Sequence, residues 1–133
     1  MQRLLIVVDS QNDFVDGALG FPGAELLDGP IAEKIAAYHA ADEPVWFTFD
    51  THHANYPDTQ EGRKLPIPHC IESESGWELY GKVAAARREA DEVFLKPTFG
   101  SMALAERLMK AQEVADSLGT VPFESIEIGR AHV

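Results

Sequence analysis

The feature that most constrains this chain is an apolar segment near its start that is followed at once by an acidic residue. The unbroken apolar run over residues 4–8 predicts a strand that spans residues 3–8 and is buried on both faces. Asp9 follows at the carboxyl end of that strand. Because open α/β sheets bind their ligands outside the carboxyl ends of their strands, we expect Asp9 to lie in a functional site.

Strand and helix patterns alternate along the rest of the 133 residues. The predicted elements are, in order, a helix over residues 30–41, a strand over 45–49, a long loop over 51–75, a mostly helical segment over 76–90, a strand over 91–95, a helix capped by Ser101, and a strand that begins at Ser125. This alternation favours a three-layer α/β/α fold with a parallel sheet and right-handed crossovers. We expect a single domain over residues 1–128, without internal repeats.

Composition narrows the classes of partner. The net charge is -11, so nucleic acid and anionic membrane surfaces are not expected as partners. The longest apolar run is five residues, far short of a membrane span. The chain has one cysteine and no signal-peptide pattern, which together predict a cytoplasmic protein without an internal disulfide. The oligomeric state is left open, a homo-oligomer included.

Three predicted strands each deliver a polar residue at their carboxyl end. These residues are Asp9, Asp50 and Lys96. A single one of them is typical of a turn or of a solvated surface, but the carboxyl ends of parallel strands share one edge of the sheet. Three together favour a functional site.

A metal site is indicated next to the second strand. Asp50 and His52 are two residues apart, and His69 arrives at the end of the proline-rich loop. One carboxylate and two imidazoles suit a divalent metal, with zinc expected first and iron or manganese as alternatives. The two other histidines of this part of the chain, His39 and His53, are expected to be solvated.

Cys70 directly follows His69, but neighbours in sequence rarely face each other. A lone cysteine is more often a small buried apolar residue than a nucleophile, and we interpret Cys70 in that way.

Four segments resemble the isochorismatase-like cysteine hydrolases, the superfamily that includes nicotinamidase. They occur in the order and at the spacing typical of that family, and the likeness extends from residue 3 to about residue 128. The segments are residues 8–14 (VDSQNDF), 47–52 (FTFDTH), 65–70 (LPIPHC) and 94–101 (FLKPTFGS).

The resemblance implies a six-stranded parallel sheet and a catalytic triad of aspartate, lysine and cysteine. It implies that Asp9 is the general base, that Lys96 supports a thiolate, and that Phe14 lines the substrate pocket. It also implies that Asp50, His52 and His69 hold the metal, and that the substrate is a small amide such as nicotinamide. Pro66 and the region of Tyr56 depart from some nicotinamidases, so nicotinamide is one candidate among several.

The chain also departs from the family at its end. The family's G-x-x-T-x-x-C-V stretch, which carries the nucleophile, is not found after Ile128. We therefore expect an inactive fragment that lacks its nucleophile and its last strands. We also expect it to be poorly stable, because strand four would be an exposed edge. Residues 129–133 are expected to be a non-native tail, because residues 128–133 resemble one translated reading frame of a sequencing adapter. A natural frameshift and a short paralogue are the alternatives.

Two other functions compete with amide hydrolysis. The first is isochorismatase-type hydrolysis of a vinyl ether, which does not require the metal and is therefore disfavoured by the intact set of metal residues. The second is a non-catalytic relative that binds a metal or a ligand.

Overall fold

The computed structural model describes residues 2–97 and 101–130. Within these residues, four parallel strands form one sheet in the order β3-β2-β1-β4, as a doubly wound α/β fold requires. The strands are β1 (Arg3–Val8), β2 (Val45–Asp50), β3 (Glu92–Lys96) and β4 (Ser125–Arg130). Thr98, Phe99 and Gly100 of the predicted lysine segment, and residues 131–133 of the predicted tail, lie outside the described residues.

Helices cover both faces of the sheet, which confirms the three-layer prediction. The described residues form five α-helices: α1 (Asn12–Val15), α2 (Asp28–Ala40), α3 (Gln60–Lys64), α4 (Gly81–Ala86) and α5 (Met102–Ser117). Short 3-10 turns occupy Ala24–Leu27, Tyr56–Asp58 and Ser75–Trp77. None of the helices in the described ranges combines the length and apolar composition that a membrane crossing requires.

Side-chain alternation along β1 divides the core in two. Leu5 and Val7 face α2 and α4, where they pack with Phe47. Leu4 and Ile6 face the opposite way, toward α5. Both pairs are almost fully buried, so β1 is a central strand, as its unbroken apolar run predicts.

Two predictions along the chain are corrected. The segment 76–90 is α-helical only over Gly81–Ala86, because Leu79 pairs with Gln11 in an isolated antiparallel bridge that keeps the backbone between the 3-10 turn Ser75–Trp77 and this helix extended. His39 is not solvated: its ring is 7% exposed and its Nε2 lies 2.8 Å from an Asp91 carboxylate oxygen. His53 is exposed, as predicted.

Strand β4 lies at one edge of the described sheet. Its Ile126 and Ile128 are 47% and 66% exposed, while their β1 partners Leu4 and Ile6 are buried. Strand pairing with β1 continues through Arg130. The non-native origin of residues 129–133 and the low stability of the chain stay predictions.

The exposed side chains of β4 lead to a prediction about stability and self-association. Ile128→Thr should change the free energy of unfolding by less than about 0.5 kcal/mol, since little apolar area is buried there, and should reduce self-association of an apolar edge strand. Ile6→Thr, on the same face, should cost about 2 kcal/mol or more because it places a hydroxyl in the core. Urea unfolding and light scattering measure the two effects. Equal losses of stability would contradict this description of the edge.

Candidate functional site

The register of the sheet brings the predicted polar residues to one edge. Asp50 and Lys96 are the last residues of β2 and β3, and their Cα atoms are direct partners in the ladder. Asp9 follows β1, and its N–H donates to the carbonyl of Thr48 over 3.1 Å. The prediction that these side chains gather at one carboxyl edge is therefore confirmed by their positions.

Asp9 and Lys96 form a buried ion pair. Lys96 Nζ lies 2.6 Å from Asp9 Oδ2, and the Thr48 hydroxyl donates to Asp9 Oδ1, also over 2.6 Å. Asp9 is fully buried and Lys96 is 5% exposed. Because water is excluded, each charge stabilises the other far more than a surface pair would. A carboxylate and an ammonium group are thus held side by side.

The predicted metal ligands lie beside this pair. The Asp50 carboxylate bridges the two imidazoles: Oδ1 is 3.1 Å from His52 Nε2, and Oδ2 is 3.1 Å from His69 Nε2. One ligand atom from each of the three residues falls within 4.8 Å of the others. All three side chains are buried.

Backbone pairing fixes the spacing of these ligands. The N–H of His52 donates to the carbonyl of Cys70 over 2.9 Å, and the carbonyl of His52 accepts from Glu72 over 2.8 Å. This parallel bridge lays residues 69–71 beside the end of β2. A loop residue 17 positions after His52 is thereby brought to the same spot.

The hydrogen bonds of His69 test whether a metal fits. The Nδ1–H donates to the carbonyl of Ile67 over 2.8 Å, which leaves the lone pair of a neutral ring on Nε2, pointing at the Asp50 carboxylate. In the neutral form of His69, two acceptors therefore face each other. On the other side, Asp50 Oδ1 and His52 Nε2 are buried and make no hydrogen bond within the described residues. A cation shared by these atoms satisfies all of them, so the residues fit a divalent metal.

The charge state of Asp50 agrees with a divalent metal at this site. Burial opposes its ionisation, but the adjacent imidazoles of His52 and His69 outweigh burial and lower the pKa of Asp50 to about 2. Burial also disfavours a charged His69, yet Asp50 and the Ile67 carbonyl raise the pKa of His69. Asp50 is thus anionic over the whole range in which a metal would bind.

The turn after β1 holds both metal-ligand segments, and sequence reasoning missed this role. Gln11 Nε2 donates to the Asp50 carbonyl over 2.9 Å while Gln11 Oε1 accepts the Asp50 N–H over 2.8 Å. Asp13 Oδ2 accepts the N–H of Cys70 over 2.7 Å and so fixes the residue after His69. The motif over residues 8–14 contained these side chains, but their partners lie far away in sequence.

Aromatic rings pack against the imidazoles of His52 and His69. Tyr56 is fully buried, with its ring centroid 4.5 Å from that of His52 and 5.1 Å from that of His69. Phe14, the predicted substrate-pocket residue, is buried with its ring edge-on to His69 at 5.6 Å. Tyr56, which the pattern left as a departure, is therefore part of the site.

Cys70 is fully buried, as interpreted from the sequence. Burial, followed by the carboxylates of Asp50, Asp13 and Asp9, raises the pKa of its thiol well above the ordinary value. At neutral pH it is a protonated thiol rather than a thiolate.

Comparison with known proteins gives the family. The family model of the isochorismatase domain matches residues 3–114. The chain belongs to the isochorismatase-domain family. A search among curated protein sequences returned no match.

Several solved structures share the fold. Nicotinamidase/pyrazinamidase from Bacillus subtilis is 24% identical with a TM-score of 0.76, over 98% of this chain and 71% of that one. N-carbamoylsarcosine amidase from Thermoplasma acidophilum is 22% identical with a TM-score of 0.71, over 98% and 68%. The zinc complex of Pyrococcus horikoshii pyrazinamidase is 22% identical with a TM-score of 0.69, over 98% and 70%.

The buried ion pair makes a stability prediction. Lys96→Met should lower the free energy of unfolding by about 3–5 kcal/mol, because it removes the cation beside a fully buried carboxylate. Lys34→Met is the matched control: Lys34 pairs with Glu127 at 2.8 Å, but the side chains are 56% and 37% exposed, and about 1 kcal/mol or less is expected. Denaturant unfolding compares the two, and similar losses would refute the buried pair.

Proposed function

We propose that this chain is the base-, lysine- and metal-bearing part of a cysteine amidohydrolase that cleaves a small amide to its acid and ammonia. The observation that carries the proposal is the Asp9–Lys96 pair lying at the same sheet edge as Asp50, His52 and His69. The amidase names of the structural neighbours support the substrate class, with nicotinamide, pyrazinamide and N-carbamoylsarcosine as the first compounds to test.

In this proposal the Asp9–Lys96 ion pair accepts the proton of the nucleophile and later donates it to the leaving group. Asp9 takes the proton of an attacking thiol, and Lys96 stabilises the thiolate and the carboxylate in turn. The thiolate adds to the amide carbonyl, the carbon–nitrogen bond breaks, and ammonia leaves with a proton from Asp9. Water then cleaves the thioester, which releases the acid and restores the thiol.

The metal residues have a separate task. Asp50, His52 and His69 would hold a divalent ion, with zinc as the first choice and iron or manganese as alternatives. When bound, that ion supplies a Lewis acid that fixes and polarises the substrate. Phe14, edge-on to His69, would line the adjoining pocket.

A nucleophilic thiol is the element that these residues do not provide. Cys70 is fully buried and its pKa is raised, so it does not fit the role. We therefore propose that the 133 residues alone are inactive. The proposals that the domain over residues 1–128 is incomplete and that residues 129–133 are not native rest on the motif comparison after Ile128, not on Cys70. The same burial of Cys70 favours the second candidate, a non-catalytic relative that binds a metal or ligand.

One experiment separates the two candidates. The source DNA is sequenced past the codon for Ile128, and the protein it encodes is assayed for ammonia release from the three amides. A continuation with G-x-x-T-x-x-C and amide turnover supports the hydrolase. A stop, or a continuation without cysteine, together with no turnover would favour the binding protein.

Because the proposed base and the proposed metal ligands are different residues, substitutions at Asp9 and at His52 should affect turnover and metal content differently in the active form. Asp9→Asn should abolish turnover while metal content is unchanged, because the base and the metal ligands are different residues. Near-normal kcat in Asp9→Asn would remove the base assignment. Metal analysis and steady-state kinetics are the measurements.

His52→Ala should instead lower metal occupancy and raise KM first, since it removes one ligand and leaves the Asp9–Lys96 pair in place. Full metal content in His52→Ala would contradict the ligand assignment.

A further inference from the structure

Thr48 is the one residue of strand β2 that carries a hydroxyl group, and it is buried. All six residues of this strand are buried, and Thr48 is 2% exposed. Its partners in the two neighbouring strands, Val8 and Phe94, are apolar. Valine has nearly the shape of threonine and suits a buried strand equally well, so packing alone does not require the hydroxyl group.

The hydroxyl group of Thr48 is hydrogen-bonded to the proposed base. Thr48 Oγ1 donates to Asp9 Oδ1 over 2.6 Å, and the N–H of Asp9 donates to the carbonyl of Thr48 over 3.1 Å. Asp9 has a φ of 51°, in the left-handed region that residues with a Cβ seldom adopt. Such a backbone conformation persists where surrounding contacts hold it. Thr48 therefore fixes both the backbone and the side chain of Asp9.

Lys96 does not hold Asp9 equally well throughout the proposed reaction. Lys96 Nζ lies 2.6 Å from Asp9 Oδ2, the other oxygen of the same carboxylate. An ammonium group only donates hydrogen bonds, and its attraction to Asp9 falls once the carboxylate becomes a neutral acid. A hydroxyl group both donates and accepts, so it can stay bonded to the charged form and to the protonated form of Asp9. Thr48 thus supplies the contact that persists through the proton transfer.

We propose that Thr48 is a positioning residue for the base, which keeps the carboxyl group of Asp9 in one orientation while a proton arrives and leaves. The inference rests on the proposed hydrolase function and adds a residue to it. First, the S–H bond of the attacking thiol breaks, its electron pair stays on sulfur, and the proton forms an O–H bond on Asp9. Later, this O–H bond breaks and the proton forms an N–H bond on the departing nitrogen. Lys96 turns to the thiolate in between, while Thr48 stays bonded to Asp9.

This role concerns the proton transfer rather than the binding of substrate or metal. Within residues 2–97 and 101–130, the Thr48 hydroxyl group makes its hydrogen bond to Asp9 and none to Asp50, His52 or His69. A threonine with a purely structural role would affect stability alone. A positioning residue for the base lowers kcat and leaves KM and metal content unchanged.

The test compares Thr48→Val with Thr48→Ser in the active form, the protein that the source DNA encodes. Thr48→Val removes the hydroxyl group at nearly constant volume and should lower kcat for amide hydrolysis by about tenfold or more. Thr48→Ser keeps the hydroxyl group and should retain kcat within about threefold. In both variants, KM and zinc content should stay within about twofold of the unaltered protein. Steady-state kinetics and metal analysis measure these quantities.

Three results would overturn this inference alone. Unchanged kcat in Thr48→Val would show that the hydroxyl group is not needed. Equal falls of kcat in both variants would assign the effect to packing. A change in KM or zinc content at normal kcat would assign Thr48 to binding. No amide turnover by the unaltered protein would instead refute the proposed function, and the inference with it.

Melting temperatures separate this role from an effect on folding. Thr48→Ser should melt at a lower temperature because it loses a buried methyl group, yet it should keep its kcat. If Thr48→Val does not fold, Thr48→Ala takes its place, since serine and alanine differ only by the hydroxyl group. The kcat of Thr48→Ser should then exceed that of Thr48→Ala by about tenfold or more, and equal values would overturn the proposal.

Discussion

Buried negative charge at the carboxyl edge of the sheet is the constraint on which the rest of the structure depends. Asp9 and Asp50 have side chains that are at most 4% exposed, and each needs a positive partner to be stable there. Lys96 provides one for Asp9. The Asp50 carboxylate lies between the imidazoles of His52 and His69, an arrangement that fits a site completed by a divalent cation.

The turn after β1 makes this arrangement possible. Gln11 makes hydrogen bonds to the N–H and the carbonyl of Asp50, and Asp13 accepts a hydrogen bond from the N–H of Cys70. One short segment therefore positions the two segments that carry the proposed metal ligands. Gly76 passes so close to the Asp13 carboxylate that any larger residue would displace it. The same turn presents Asp9 and Phe14, so the proposed base, the pocket wall and the ligand supports share one rigid element.

The elements with strong periodicity were predictable from sequence, and those set by tertiary contacts were not. The apolar run of β1 and the Ile31, Ile35 and Tyr38 face of α2 are buried as expected, because local pattern and core packing agree. The segment 76–90 and His39 were mispredicted because their structure depends on Gln11 and Asp91, which are distant in sequence.

The residues of the candidate site also differ in whether their positions could be predicted from the sequence. The polar residues at the strand ends could be located from the parallel topology alone, and Asp50, His52 and His69 come together as predicted. The place of Tyr56 in the site could not be predicted, since its ring reaches His52 only through the packing of the loop, where Gly62 lies close to the Tyr56 carbonyl.

The most direct test of the account is anomalous diffraction at the zinc absorption edge from crystals of the zinc-loaded chain. We predict one strong peak within coordination distance of Asp50, His52 and His69, next to the Asp9–Lys96 pair. A zinc peak at another position, or density for zinc that these side chains do not contact, would contradict it.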